Sequence, residues 1–248
     1  MIRAVRAVSW VELKLFLREP VTVIFTLALP PLVLFVLAQV FGDTPDPLYY
    51  RGVGPVTFYT PAYIALVVAS LGLIGLPVHL AAYRERGVLR RLQAARLPVR
   101  VLLTSQLFVM LVGAVAGATV LLAMARLRYG VEWPVSWAGV AFAVVMGVLA
   151  FGALGTLIGV VVRTARAAQG IGVLLWFLMM MVSGSGPPPE ALGGTLRAIG
   201  TALPLKHLVV AVQDPWLGRG VNWTETAILL GILAVAGGLA VPALRQRA

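Results

Sequence analysis

Charged residues along this chain come in clusters, and between the clusters lie six long uncharged runs. They hold 23 residues between Glu19 and Asp43, 32 between Arg51 and Arg84, 25 between Arg100 and Arg126, 30 between Glu132 and Arg163, 23 between Arg166 and Glu190, and 19 between Glu225 and Arg245. A bilayer-spanning helix needs roughly 20 mainly apolar residues. A charge at its centre costs roughly 2.5–3.5 kcal/mol. The pattern predicts six spans, at about 21–41, 60–82, 101–125, 138–162, 167–185 and 226–244. The first resembles a signal peptide only superficially. Its leading polar segment is long and Pro30-Pro31 interrupts the apolar run, so it reads as a retained anchor.

Two connecting segments carry further pattern. In residues 1–20, Arg3, Arg6, Ser9 and Glu12 recur every three residues among Ile2, Val5, Val8, Val11 and Leu13. This predicts an interfacial amphipathic helix, with its basic residues near phosphates and Trp10 at the headgroups. Pro20 then breaks it. Residues 186–223 are opened by Pro187, Pro188 and Pro189 and divided by Pro204 into two short apolar pieces, about 191–203 and 205–213. Neither is long enough to cross. Two short re-entrant helices between spans five and six are expected, either a lid on a pathway or a passive cap. Trp133, Trp137, Trp216 and Trp223 are expected at the headgroups.

Composition agrees with a bilayer as solvent. Of 248 residues 60% are hydrophobic and only 12% charged, where a soluble domain carries about 25% charge. Mean hydropathy is +0.96. The net charge of +11 resembles a nucleic-acid binder's until it is distributed over the topology. With the N-terminus in the cytoplasm, 14 Lys and Arg fall inside and 6 outside, so the positive-inside rule absorbs the excess. No nucleic-acid partner is expected. Both termini are expected in the cytoplasm of a bacterial or archaeal plasma membrane.

The chemistry that is missing narrows the function. No phosphate loop of the G-x-x-x-x-G-K-[ST] type occurs, so ATP cannot bind by that route. There is no cysteine, and His79 and His207 stand without a metal-ligand partner at helical spacing. No metal site and no catalytic residues are expected. The six spans as drawn hold no Asp, Glu, Lys or Arg, although ion-coupled transporters usually need them at membrane depth. Energy is expected from another chain.

The densest signal is the loop 83–98, which contains Glu85-Arg86-Gly87-Val88-Leu89-Arg90-Arg91-Leu92. Val88, Leu89, Leu92 and Ala95 form one apolar stripe on a short helix, with Arg90, Arg91 and Gln93 on other faces. Glu85 is expected near the start of that helix, favouring its N-terminus or pairing with a base on a partner. Gly87 is expected to allow close approach or a special dihedral. On residue physics alone, a positive loop lying on anionic lipid remains the alternative.

This loop, placed after the second of six spans, resembles that of the permease subunits of type-2 ABC exporters, which often show E-R-G-x-L-x-R-L. Ala95-Arg96 stands where the family's Thr/Ser-Pro pair would be, and Leu97-Pro98-Val99 continues as expected. The interfacial helix, the six spans and the Pro-rich segment extend the resemblance over essentially the whole chain. It implies an all-α integral membrane protein in one domain, 1–248. It also implies a dimer with a second permease copy, identical or not, and ATP and Mg on separate ABC ATPase subunits. Glu85 to Leu92 would couple to the ATPase. Spans one, two and five would line the substrate pathway, with Phe25, Pro30, Tyr63, Ser70, Trp176 and Met180 as candidates. The few aromatics and Met179-Met180-Met181 favour an amphipathic drug or lipid as substrate. A polysaccharide, and a secondary transporter or channel without an ATPase, are the alternatives, as is a scaffold with no transport role.

Overall fold

In the computed structural model, which describes residues 2–94 and 98–247, each uncharged run becomes a helix. The six candidate spans are Pro20–Val40, Pro55–Glu85, Val101–Tyr129, Trp137–Val161, Ala165–Val182 and Trp223–Ala240. We call them spans one to six. Four shorter helices are labelled α1 (Ile2–Phe16), α2 (Val88–Ala94), α3 (Gly194–Ala202) and α4 (Pro204–Trp216). No strand occurs among the described residues.

Span boundaries differ from the expectation where capping chemistry decides. Span two begins at Pro55, at the first helical position where its missing N–H costs nothing. Span six begins at Trp223, because Asn222 Oδ1 accepts the Glu225 N–H at 3.1 Å and so caps the first turn. Glu225 therefore belongs to a spanning helix, which corrects the reading of spans without charge. The two short pieces of 186–223 are helical as expected. Leu203 is extended before Pro204, and α3 and α4 meet there at 84°.

Span two is the hub. Every residue of its most apolar stretch is buried, against 22% in span five and 33% in span one. It packs on spans one, three, four and five and on α4. Its helix passes through a π-turn at Leu71–Gly75 just before Pro77, as span one does at Ile24–Ala28 before Pro30. A proline cannot donate to the preceding turn, and the widened turn adjusts the backbone around that loss. Thr26 Oγ1 and Ser70 Oγ join the two spans at 3.0 Å. Spans four and five reach the backbone of the π-turn through glycine. A Cβ on Gly155 would lie 2.0 Å from the Gly72 oxygen, and one on Gly172 2.0 Å from the Leu73 oxygen.

The bundle has two unlike ends. The basic end holds α1, the last turn of span two and α2. The re-entrant end holds α3, α4 and the turn 42–54. α1 packs against span three, with Trp10 59% exposed as an interfacial residue requires.

Candidate functional site

At the basic end, the expected coupling segment is an abrupt turn between two helices. Glu85 is the last residue of span two, exposed, at the helix end that carries the negative dipole pole. No acidic residue stands in the first turn of α2. This corrects the expectation that Glu85 favours a helix N-terminus. Gly87 has φ +66° with nothing within 4 Å of a built Cβ, so the dihedral rather than close approach requires glycine. Arg86 and Arg91 are exposed and Val88 is half-buried.

Leu89 overturns part of the sequence reading. It is only 6% exposed and belongs to the chain's own hydrophobic core. The apolar stripe is thus already used at Leu89 to seat α2 on the bundle, and that side chain is not offered to a partner. The side chains of Arg90, Leu92 and Gln93, and all of Ala95–97, lie outside the described residues. Arg84 is also engaged within the chain. Its guanidinium donates to the carbonyls of Gly159, Val160 and Val162, where span four ends. A cation there bonds the last carbonyls of span four and is favoured by the helix dipole.

Of the six expected pathway residues, Phe25 and Trp176 are in direct contact, and the others lie in or at the edge of the packed interior. The Phe25 ring meets Trp176 edge-on at 4.9 Å, and Trp176 Nε1 donates to the Leu66 carbonyl at 3.3 Å. Tyr63 stacks on Tyr59 at 5.6 Å. Tyr63, Ser70, Trp176 and Pro30 are buried, while Phe25 and Met180 are half-buried. Spans one, two and five do meet here. Within one chain they close on each other, and a passage between them requires them to part.

The re-entrant end holds charges that sequence reasoning left unpaired. Arg51 Nη2 lies 2.7 Å from Asp214 Oδ1, and its Nη1 donates to Gln213 Oε1 at 3.3 Å. Asn222 adds a second bond to Asp214 at 2.7 Å. Lys206 Nζ pairs with Glu225 Oε1 at 2.6 Å, and His207 Nδ1 bonds the other oxygen of Glu225. His207 is therefore not alone, and Glu225 fastens α4 to the first turn of span six. Arg51 has φ +59°, the only positive value outside glycine among the described residues. Its side chain and carbonyl, the latter accepting from Arg219 at 3.3 Å, hold it there. The Asn-x-x-Glu pattern at 222–225 was a readable helix-start signal, but its partners were not.

The expected lid residues are anchored. Pro189 opens a short 3-10 turn, Pro189–Ala191, and Arg197 donates to the carbonyls of Pro189 and Glu190 at 3.0 and 3.2 Å. Tyr59 donates to the Gly186 carbonyl at 2.7 Å. Pro187 and Pro188 lead into the turn, and Pro204 opens α4. A cavity of about 220 Å³ lies beneath, lined by Arg51, Phe58, Arg197, Lys206 and Gln213 among others. A larger apolar crevice of about 430 Å³ runs between spans three and four, bordered by Trp133, Trp137 and Trp216. Trp223 is 70% exposed and fits the headgroup expectation, but Trp216 is 3% exposed and packs inside the chain.

Comparison with known proteins converges on the same arrangement. The family model described as ABC-2 type transporter matches residues 3–215. The chain is similar to a Bacillus subtilis (strain 168) protein named "Putative transport permease YvfS", with 24% identity over 227 residues, covering 91% of this chain and 90% of the relative.

Proposed function

The chain belongs to the ABC-2 type transporter family, and on that premise we propose that this multi-pass transport permease is the membrane subunit of an ATP-driven exporter. Two permease copies, identical or not, form the pathway. Separate cytoplasmic ABC ATPase subunits, carrying ATP and Mg, dock at the basic end, which faces the cytoplasm. The carrying observation is the course of span two. The helix that packs on spans one, three, four and five runs directly into the Glu85–Leu92 segment, and Gly87, at φ +66°, turns it into α2. A push on α2 therefore reaches the centre of the bundle through a rigid helix. The exposed groups that would receive a partner are Glu85, Arg86 and Arg91, with Val88 at the edge.

An amphipathic drug or lipid is the substrate class we favour. The residues assigned to the pathway, Phe25, Pro30, Tyr63, Trp176 and Met180, are mainly apolar or aromatic, with Ser70 the small polar exception, whereas a polysaccharide needs hydrogen-bonding groups along its path. The enclosed contacts of Phe25, Tyr63, Ser70 and Trp176 are then the closed state of the pathway, and transport separates spans one, two and five.

The docking claim is tested by affinity purification in mild detergent with subunits identified by mass spectrometry. Arg86→Glu with Arg91→Glu is expected to deplete a co-purifying ATPase while the permease still inserts. A full complement of ATPase with normal transport would overturn it. Orientation is tested separately, since the chain has no cysteine. A Gln93→Cys protein is expected to react with an impermeant reagent only after cells are opened.

A further inference from the structure

Where α1 crosses spans two and three, polar groups are buried without hydrogen-bond partners. Glu12 is 2% exposed, Gln106 of span three 4% and His79 of span two 8%. One oxygen of the Glu12 carboxyl, Oε1, accepts from Tyr83 at 2.6 Å. The other oxygen, together with His79 Nε2, Gln106 Nε2 and the nearby Ser9 hydroxyl, makes no hydrogen bond to protein. Three of these residues, Glu12, His79 and Gln106, line one small cavity of about 10 Å³, with Phe16 and Met110 in its wall. A buried water needs roughly 10–15 Å³ and two to four polar partners. The cavity offers that room and three such groups.

The charge balance decides what the site does. A buried carboxylate is costly unless paired, and among the described residues Glu12 makes no ion pair. The titratable groups facing it are Tyr83 and His79 from span two, with Arg86 beyond Tyr83. Span three presents Gln106, and Ser105, which bonds the carbonyls of Val5 and Val101. On its own helix Lys14 lies over the exposed Trp10 ring, 5.1 Å from its centroid. Burial pushes the Glu12 carboxyl above its ordinary 4.5, with Tyr83 and the neighbouring Gln106 amide opposing only in part.

We propose that this junction is a proton-binding site, in which Glu12 holds a proton and one buried water links its free oxygen to His79 and Gln106. The neutral acid donates to the water, the Gln106 amide donates to it, and the water donates to His79 Nε2. Three hydrogen bonds are then made where none is made to protein. Loss of the proton leaves an unpaired carboxylate in an apolar wall. α1 lies at the interface with Trp10 and Val11 already exposed, so a small roll carries that carboxylate to water. The folded acid holds its proton more tightly than the unfolded one. Its stabilising effect is therefore complete below about 4.5 and is lost as pH rises through the folded value. Protonation thus clamps α1 to the span that leads into the Glu85–Leu92 segment, and this clamp does not depend on what the protein transports.

Two measurements on the full chain in nanodiscs test the site. The infrared spectrum is expected to show a protonated-carboxyl band that persists, as pH rises, beyond the range in which an ordinary glutamate ionises, then titrates away, and is missing in Glu12→Gln. In parallel, amide protection in residues 5–16, corrected for intrinsic exchange, is expected to fall by roughly tenfold as pH rises through the range in which that band disappears. In the Glu12→Gln protein, which is permanently neutral, protection should stay at the acid level throughout. A wild-type spectrum without that band, or parallel loss of protection in both proteins, overturns the proposal.

Discussion

The two ends of the bundle treat charge in opposite ways. At the re-entrant end Arg51, Asp214, Lys206 and Glu225 neutralise one another in partly buried pairs, and His207, Gln213 and Asn222 take up the remaining bonds. At the basic end Glu85, Arg86 and Arg91 are exposed and form no ion pair among the described residues, and the buried Glu12 has no cation. The first arrangement closes on itself and holds two short helices that are not long enough to span. Its carboxylates are buried and its cations partly so, and each acid therefore depends on its partner. The second leaves its surface charge for something outside the chain, which suits a docking face. The charges satisfied within the chain thus lie away from the expected partner, and span two connects the two ends.

The strongest way to break this contrast is Glu225→Leu. It strips the shared acceptor from Lys206 and His207, and removing one side of a buried pair costs about 3 kcal/mol. Hydrogen exchange should rise across residues 194–216 and the thermal midpoint should fall, with ATPase co-purification retained. Unchanged exchange there would mean that Glu225 does not fasten α4. Next in size is Arg84→Leu. It removes the guanidinium bonds to the Gly159, Val160 and Val162 carbonyls at the end of span four, for a loss of about 2 kcal/mol, read as increased exchange near residues 159–162. A melting curve identical to wild type would argue against the cap.

Smaller effects sharpen the comparison. Gly87→Ala forces a Cβ into a left-handed dihedral and should cost about 1 kcal/mol. Transport-linked ATP turnover should drop more than stability does, because the angle between span two and α2 changes. Glu85→Gln should alter stability by less than about 0.5 kcal/mol, as exposed surface changes do, and still lower transport-linked ATP turnover. Normal turnover in both variants would detach the turn from coupling. Leu89→Asp is a poor probe of docking. A charge at a buried position destabilises the permease itself.

Much of the architecture was legible along the chain because bilayer partition depends on consecutive residues. An uncharged run of sufficient length selects a spanning helix whatever it packs against. Pro189 and Pro204 likewise dictated where the 3-10 turn and α4 begin, and Pro204 where the two short helices bend. Helix starts at Pro55 and Asn222 were encoded too, and reading from charge to charge missed them, since capping uses uncharged residues.

What only the tertiary structure decided is which side chain meets which. Arg51 and Asp214 are 163 residues apart, and Glu12 and Tyr83 are 71 apart. No period along the sequence relates them, because each contact exists only after helices from different spans pack at particular heights and rotations. The same rotations turned Leu89 and Trp216 inward, where stripe and belt patterns had assigned them to a partner and to the headgroups. Local pattern sets how far each helix extends and which residues are apolar. The packing of span two against its neighbours, through backbone contacts at Gly155 and Gly172, sets which apolar face is covered by protein and which is left for lipid or a partner.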